Sequence, residues 1–407
     1  MNSLLIQGGR LFDPTSGLNG ASDLLIQGGK IERIEEVIEP LDAEVIDARG
    51  LWVLAGLMDI HVHLREPGGE HKETIASGTR AAAAGGFTAV ACEPNTSPPC
   101  DSSERLANVI DIARRDAVVG VLPKCAITLG QRGSELTDLD ALRAAGAAAA
   151  SDDGFSVADP EVMRHALVAA KDAGIPLTLH VDGPEMMERD IGLSAEFDYP
   201  VHFSHVSLAE EAELIARARS KGLRITGEAT PHHLALTRDD VPSKDADFKM
   251  NPPLASPTDR AALRSAVAGD VLTVIGSDHA PHAPEEKAWP YEDAPPGVIG
   301  LETTLGVLWT YLVREESVSP EALFQALTVG PAGVLGVRES HLRRGALANV
   351  TVFDPNHVWV VDPDQFYSKG RNCPFAGRRL RGKPVMTIVD GRIVMRDGRV
   401  VSPGVNE

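Results

Sequence analysis

The stretch Leu51-Trp52-Val53-Leu54-Ala55-Gly56-Leu57-Met58-Asp59-Ile60-His61-Val62-His63 decides how this chain folds. Its apolar run ends on two histidines separated by a valine. In a β-strand alternate side chains share a face, so His61 and His63 reach into one site while Val62 packs behind them. Two imidazoles on one strand end make a metal grip. The rest of the chain supplies partners of the same kind: Asp152 and Asp153 in Ser-Asp-Asp-Gly, His180 in Leu-Thr-Leu-His, His205 in His-Phe-Ser-His-Val-Ser, and Asp278 in Ile-Gly-Ser-Asp-His-Ala-Pro-His. Each closes a short apolar run that reads as a strand. The C-terminal ends of the strands of a (β/α)8 barrel converge on one face, where catalytic residues collect. Nitrogen and oxygen ligands gathered there suit one or two zinc-like ions.

Working outward from this strand, strands and helices alternate as a parallel barrel requires. Strands are expected at Phe87 to Cys92, Val118 to Thr128, Ala147 to Ala150, Ile175 to His180, Val201 to His205, Leu223 to Glu228 and Val271 to Ser277. Helices are expected at Lys72 to Ala84, Ser103 to Arg115, Leu139 to Ala145, Pro160 to Ala173, Ala209 to Lys221, Leu301 to Glu315 and Pro320 to Thr328. The two chain ends read differently. Leu4-Leu5-Ile6-Gln7-Gly8-Gly9 recurs as Leu24-Leu25-Ile26-Gln27-Gly28-Gly29, and Asp390-Gly391-Arg392-Ile393-Val394 reads as part of a hairpin. Asn349 to Asp354 and Val358 to Val361 add strand candidates. The expected architecture is therefore α/β: a (β/α)8 TIM barrel over residues 53–340, beside a small β-sandwich assembled from residues 1–52 and 341–407.

Composition narrows the function. A chain of 407 residues suits a barrel plus an accessory domain, and 43% hydrophobic with 24% charged residues is ordinary for a globular protein. A net charge of −19 argues against a nucleic-acid partner, because phosphate binding needs a basic surface. No apolar run approaches the ~20 residues needed to span a membrane, and the N-terminus lacks a basic region and cleavage site, so a cytoplasmic protein is expected. Cys92, Cys100, Cys125 and Cys373 form no Cys-x-x-Cys pair and read as reduced, mostly buried thiols.

Taken together, His61-Val62-His63-Leu64-Arg65-Glu66-Pro67-Gly68, Glu93-Pro94-Asn95-Thr96, Ser151-Asp152-Asp153-Gly154, His205-Val206-Ser207, Thr230-Pro231-His232-His233-Leu234, Lys249-Met250-Asn251-Pro252-Pro253-Leu254, Asp278-His279-Ala280-Pro281-His282 and Gly300-Leu301-Glu302-Thr303 resemble the class I dihydroorotases of the amidohydrolase superfamily. The resemblance implies reversible cyclisation of N-carbamoyl-L-aspartate to L-dihydroorotate with loss of water, in pyrimidine biosynthesis. It also implies two zinc ions, the first on His61 and His63, the second on His180 and His205, bridged by Asp153, with Asp278 beside them. A water acidified by the zinc ions would be the nucleophile, and Asp278 the general acid and base. Arg65, Asn95 and His282 would clamp the substrate carboxylate, while Asn251 and the backbone at Pro296 and Gly297 would bind the ring's polar edge. His232, His233 and His279 are left as structural residues or as groups that orient a ligand. A homo-oligomer, and a complex with aspartate carbamoyltransferase, are further implications.

Two features depart from the family pattern. The interval from His180 to His205 is short, which predicts two helical turns over Pro184 to Asp190 and a thinned barrel wall. Glu93 stands where methionine is common. Two other functional classes share parts of the pattern. Hydantoinases and allantoinases would use the same metals without needing the carboxylate clamp, and hydantoinases usually bridge their metals with a carboxylated lysine that the fourth strand here does not offer. Lys124, on the third strand, reads as exposed or salt-bridged. A non-catalytic scaffold for aspartate carbamoyltransferase would typically lose metal ligands, and this chain keeps them.

Overall fold

The computed structural model describes residues 3–401 apart from positions 41 and 339. Both chain ends enter one sheet. Ser3–Asp13, Leu18–Gln27, Lys30–Glu35, Ala43–Asp47 and Trp52–Ala55 are hydrogen-bonded into a nine-stranded array with Val350–Val360, Arg379–Val389, Arg392–Arg396 and Arg399–Val400. The junction is the antiparallel pairing of Val53 with Val352. The repeated Leu-Leu-Ile-Gln-Gly-Gly explains the N-terminal half: Leu4 pairs with Ile26, and Leu4, Ile6, Leu24 and Ile26 share a core with Val53, Val350, Val352 and Ile388. Gly28 and Gly29, both at positive φ, form the two-residue turn that returns the chain at Lys30.

The barrel closes through hydrogen bonds. Leu57–Val62, Phe87–Cys92 and Gly120–Pro123 form one parallel group, and Leu177–Leu179, Val201–Phe203, Ile225–Ala229 and Val274–Ile275 another. Between them the expected fourth strand is reduced to Ala150, which bridges Cys125 on one side and Leu177 on the other. Its four consecutive alanines offer little side chain to pack on a pleated surface, which accounts for the shortness. The ring is completed where Val62 meets His279, with the His63 N–H donating to the His279 carbonyl at 2.8 Å. Helices cover the outside, their buried faces meeting the strands in a core that includes Phe87, Leu106, Phe203, Ile215 and Phe324.

Some elements differ from the sequence-based expectation. The wall between His180 and His205 is not thinned: Pro184–Phe197 is a helix of 14 residues, not two turns. Its inward face is Met187, Asp190, Leu193 and Ser194. Two of those four are polar, which hides the helical period, and Asp190 is accommodated by the Arg189 guanidinium at 2.8 Å. The first barrel helix begins at Ile75, three residues later than expected, because Thr74 caps it by accepting the Ser77 N–H. The expected Leu301 to Glu315 helix is α-helical only over Thr304–Leu308 and continues as a π-helical turn over Trp309–Val313. All four cysteines are buried free thiols.

Candidate metal centre

The ends of the barrel strands bring the sequence-selected residues together around Asp153. Its Oδ1 lies 3.3 Å from His61 Nε2, 3.3 Å from His205 Nε2 and 3.5 Å from His180 Nδ1, and its Oδ2 lies 3.5 Å from His63 Nε2. Asp278 Oδ1 approaches the nitrogens of the two strand-one histidines, 3.2 Å from His63 Nε2 and 3.6 Å from His61 Nε2. Asp152, the alternative in the same motif, points away and accepts from Ile127 N–H and Thr128. Three residues of this face, Arg65, His205 and Asp278, hold left-handed backbone with φ of 60°, 34° and 46°. Such conformations cost on the order of 1–3 kcal/mol each and persist where surrounding structure enforces them.

The electrostatics of the cluster call for positive charge at its centre. Burial opposes ionisation of Asp153, yet His61, His180 and His205 hold it well below the ordinary carboxylate range. Asp278 is brought to about 2, burial again being outweighed by His61 and His63. Burial likewise opposes protonation of His61, but Glu228, Asp153 and Asp278 raise it well above the ordinary imidazole value. His61 Nε2 and Asp153 Oδ1 are buried without a hydrogen-bond partner. Unpartnered buried donors and acceptors are rare, and two facing each other at ligand spacing fit a divalent cation between them. Among the described residues, two overlapping groups have the geometry to hold an ion: His61, Asp153 and His205, and His61, His63 and Asp278.

A further ring of side chains, not singled out from the sequence, orients these histidines. Glu228 Oε1 accepts from His61 Nδ1 at 2.8 Å and from the His205 N–H at 3.2 Å. Asp59 accepts the N–H groups of His61 and Ser277, tying the first strand to the last, and burial raises its pKa to about 7. The signal for both was available: Asp59 stands two residues before His61 on the same strand, and Glu228 is a carboxylate near the end of an apolar run, as Asp278 is. His279 and His233 are both held by hydrogen bonds within the fold. His279 joins Glu73 at 3.2 Å and the Gly300 N–H, while His233 is held by Thr230 and the Pro252 carbonyl. His232 is buried with Nε2 unpartnered, its pKa driven well down by burial and by His233.

The expected substrate groups fall in three places. Arg65 and His282 are neighbours: the guanidinium donates to the Pro281 carbonyl at 3.2 Å and lies 3.4 Å from His282 Nε2. Glu66 and Glu70, the carboxylates nearest Arg65 in sequence, accept backbone N–H groups of Ile75 and Gly68. His282 Nε2 is also 3.0 Å from the Pro296 carbonyl, and burial followed by Arg65 and Lys72 brings its pKa to about 3. The Gly297 N–H donates to the Lys249 carbonyl, and its own carbonyl accepts from Asn372 and Lys287, so its backbone is already engaged. Asn95 is turned to the metal side, its Oδ1 accepting from His63 Nδ1 at 3.0 Å. Asn251 shares a cavity of about 510 Å³ with His180, walled by Val181, Leu208 and Pro252 to Leu254. Lys124 is buried, not exposed, and paired with Glu93.

Comparison with known proteins gives this arrangement a lineage. The protein-family description "Dihydro-orotase-like" matches residues 50–217. A dihydroorotase of Anaeromyxobacter dehalogenans (strain 2CP-1) is 44% identical over 427 aligned positions, covering 97% of this chain and 98% of its own length. One from Pelotomaculum thermopropionicum is 43% identical, covering 97% and 99%. Among solved structures, the L-hydantoinase of Arthrobacter aurescens superposes with a TM-score of 0.91 at 23% identity, covering 98% of each chain, and the dihydropyrimidinase of Brevibacillus agri NCHU1002 with 0.89 at 24%, covering 98% of this chain and 96% of its own. These structures share the barrel and its accessory sheet. With relatives above 40% identity spanning almost its whole length, the chain belongs to the dihydroorotase family.

Proposed function

We propose that this chain interconverts L-dihydroorotate and N-carbamoyl-L-aspartate at a centre that binds two zinc ions. The observation that carries the reading is the enclosure of Asp153 by four imidazole nitrogens, with Asp278 against the same pair of strand-one histidines. His61, His63 and Asp278 would hold one ion, His180 and His205 the other, and Asp153 would bridge them. Bound there, the ions would polarise the ring amide carbonyl and acidify the attacking water.

The chain's own groups do the rest. Asp278, a carboxylate at neutral pH, accepts the proton of the attacking water at Oδ1 and returns it to the departing ring nitrogen; ring closure runs the same transfers backward. Arg65 and His282 form the polar end that receives the substrate carboxylate, a charge-assisted contact that a neutral cyclic amide does not make. Asn251 faces the ring from the cavity beside His180. Lys124 is committed to Glu93, and the bridging position would fall to Asp153, which separates this site from one built on a carboxylated lysine.

No helix among the described residues is long and apolar enough to cross a membrane. A cytoplasmic homo-oligomer that associates with aspartate carbamoyltransferase completes the proposal. The experiment is zinc content per chain and dihydroorotate hydrolysis on one preparation, before and after chelation, with hydantoin and allantoin as comparison substrates. Two zinc ions and chelator-sensitive activity selective for dihydroorotate are expected. Preference for hydantoin, or activity that survives complete metal removal, would reject the reading.

A further inference from the structure

An ion pair lies behind the metal cluster, inside the barrel. Glu93 follows the strand Phe87–Cys92 and Lys124 follows Gly120–Pro123; both side chains are at most 1% exposed. Lys124 Nζ donates to Glu93 Oε1 and, at 3.1 Å, to Thr178 Oγ1. Glu93 Oε1 is 4.0 Å from Nε2 of His61, the nitrogen that faces Asp153, and Glu93 Oε2 is buried without a hydrogen-bond partner.

Two features of this pair need a cause. Apolar residues of similar volume hold a protein interior at least as well as a buried ion pair, so stability alone does not explain why charges stand here. A buried carboxylate oxygen without a partner is also unfavourable unless further positive charge lies close by. Lys124 serves one oxygen only. A cation held between His61 and Asp153, on the side where Glu93 Oε1 comes within 4.0 Å of His61 Nε2, would add the further positive charge that this carboxylate lacks. Lys124, anchored to Thr178, keeps the carboxylate set back from the ligand positions.

We propose that Glu93, fixed by Lys124, is a positioning residue that raises the affinity of the His61 side of the centre for its cation, acting as a counter-charge and not as a ligand. The inference rests on the metal-centre reading above. It assigns the pair a purpose that packing does not require.

The test compares the parent protein with the Glu93→Met/Lys124→Met double variant and with Glu93→Gln, measuring zinc affinity by competition with a chromogenic chelator. Thermal unfolding of the metal-free proteins runs in parallel. The double variant is expected to unfold no earlier than the parent yet to bind one zinc about tenfold or more weakly, and Glu93→Gln to show the same weakening. If one variant does not fold, the other decides. Parental affinity in a folded variant would mean that the pair only packs, and would overturn the proposal. A parent protein that takes up no zinc would overturn the metal centre and the proposal with it, so the two failures are distinct.

Discussion

Glu228 Oε1 lies 2.8 Å from His61 Nδ1, and the same oxygen accepts the backbone N–H of His205 at 3.2 Å. One carboxylate thus fixes the ring of a ligand expected on the first metal and the backbone of a ligand expected on the second. With Nδ1–H donating to Glu228, His61 Nε2 faces Asp153, where its lone pair would meet a bound ion. Burial would push Glu228 toward its neutral form, but His61 and His202 hold it far below the usual carboxylate range. Glu228→Gln keeps the shape and removes the charge. It is expected to weaken zinc binding about 10- to 100-fold. Competition titration checks this, and unchanged affinity would show that Glu228 merely fills the barrel.

Asp278 is the group proposed to move protons, and it contributes only one of the centre's carboxylates. Asp278→Ala is expected to lower kcat by about 10²- to 10⁴-fold while most of the zinc stays bound, since the four histidines and Asp153 remain. Metal analysis and turnover on the same sample separate the two effects. Full activity in this variant would remove the proton transfer assigned to Asp278.

Arg65 should govern which cyclic amides are accepted. A hydrogen bond to a charged group contributes about 1.5–3 kcal/mol, so Arg65→Met is expected to raise KM for dihydroorotate roughly 10- to 100-fold. Hydantoin, without a carboxylate, should lose far less. Equal losses on both substrates would mean that Arg65 supports the loop at Pro281 and does not meet the substrate.

Much of this organisation is legible in the amino-acid sequence. His61, His63, Asp153, His180, His205 and Asp278 all close apolar runs, and a barrel has only one face on which such ends meet. Glu228 and Asp59 are harder to read because a carboxylate within a strand also passes for an ordinary solvent-facing residue; closure of the barrel is what turns Glu228 toward His61. Lys124 is obscure for a similar reason, its burial depending on Glu93 from a different strand. The helix Pro184–Phe197 reads as shorter than it is because Asp190 and Ser194 interrupt its apolar stripe.

The cluster also predicts how the metal-free protein responds to pH. Protonation of His61 and His180 is favoured in the folded state: burial opposes it, but Glu228 and Asp153 on His61, and Asp153 on His180, outweigh that. Folded-state pKa values above the unfolded one, about 6.5, place this stabilisation fully below pH 6.5 and remove it as pH rises through the folded values. Each such imidazole withdraws up to about 1.4 kcal/mol per pH unit across that window. Bound metal requires the neutral imidazoles and supplies the positive charge itself, so the loaded protein should not show this loss. Thermal unfolding from pH 6 to pH 9 is therefore expected to give a Tm that falls with pH after chelation and holds steadier in the zinc-loaded protein. Parallel curves for the two forms would place the cation away from His61 and His180.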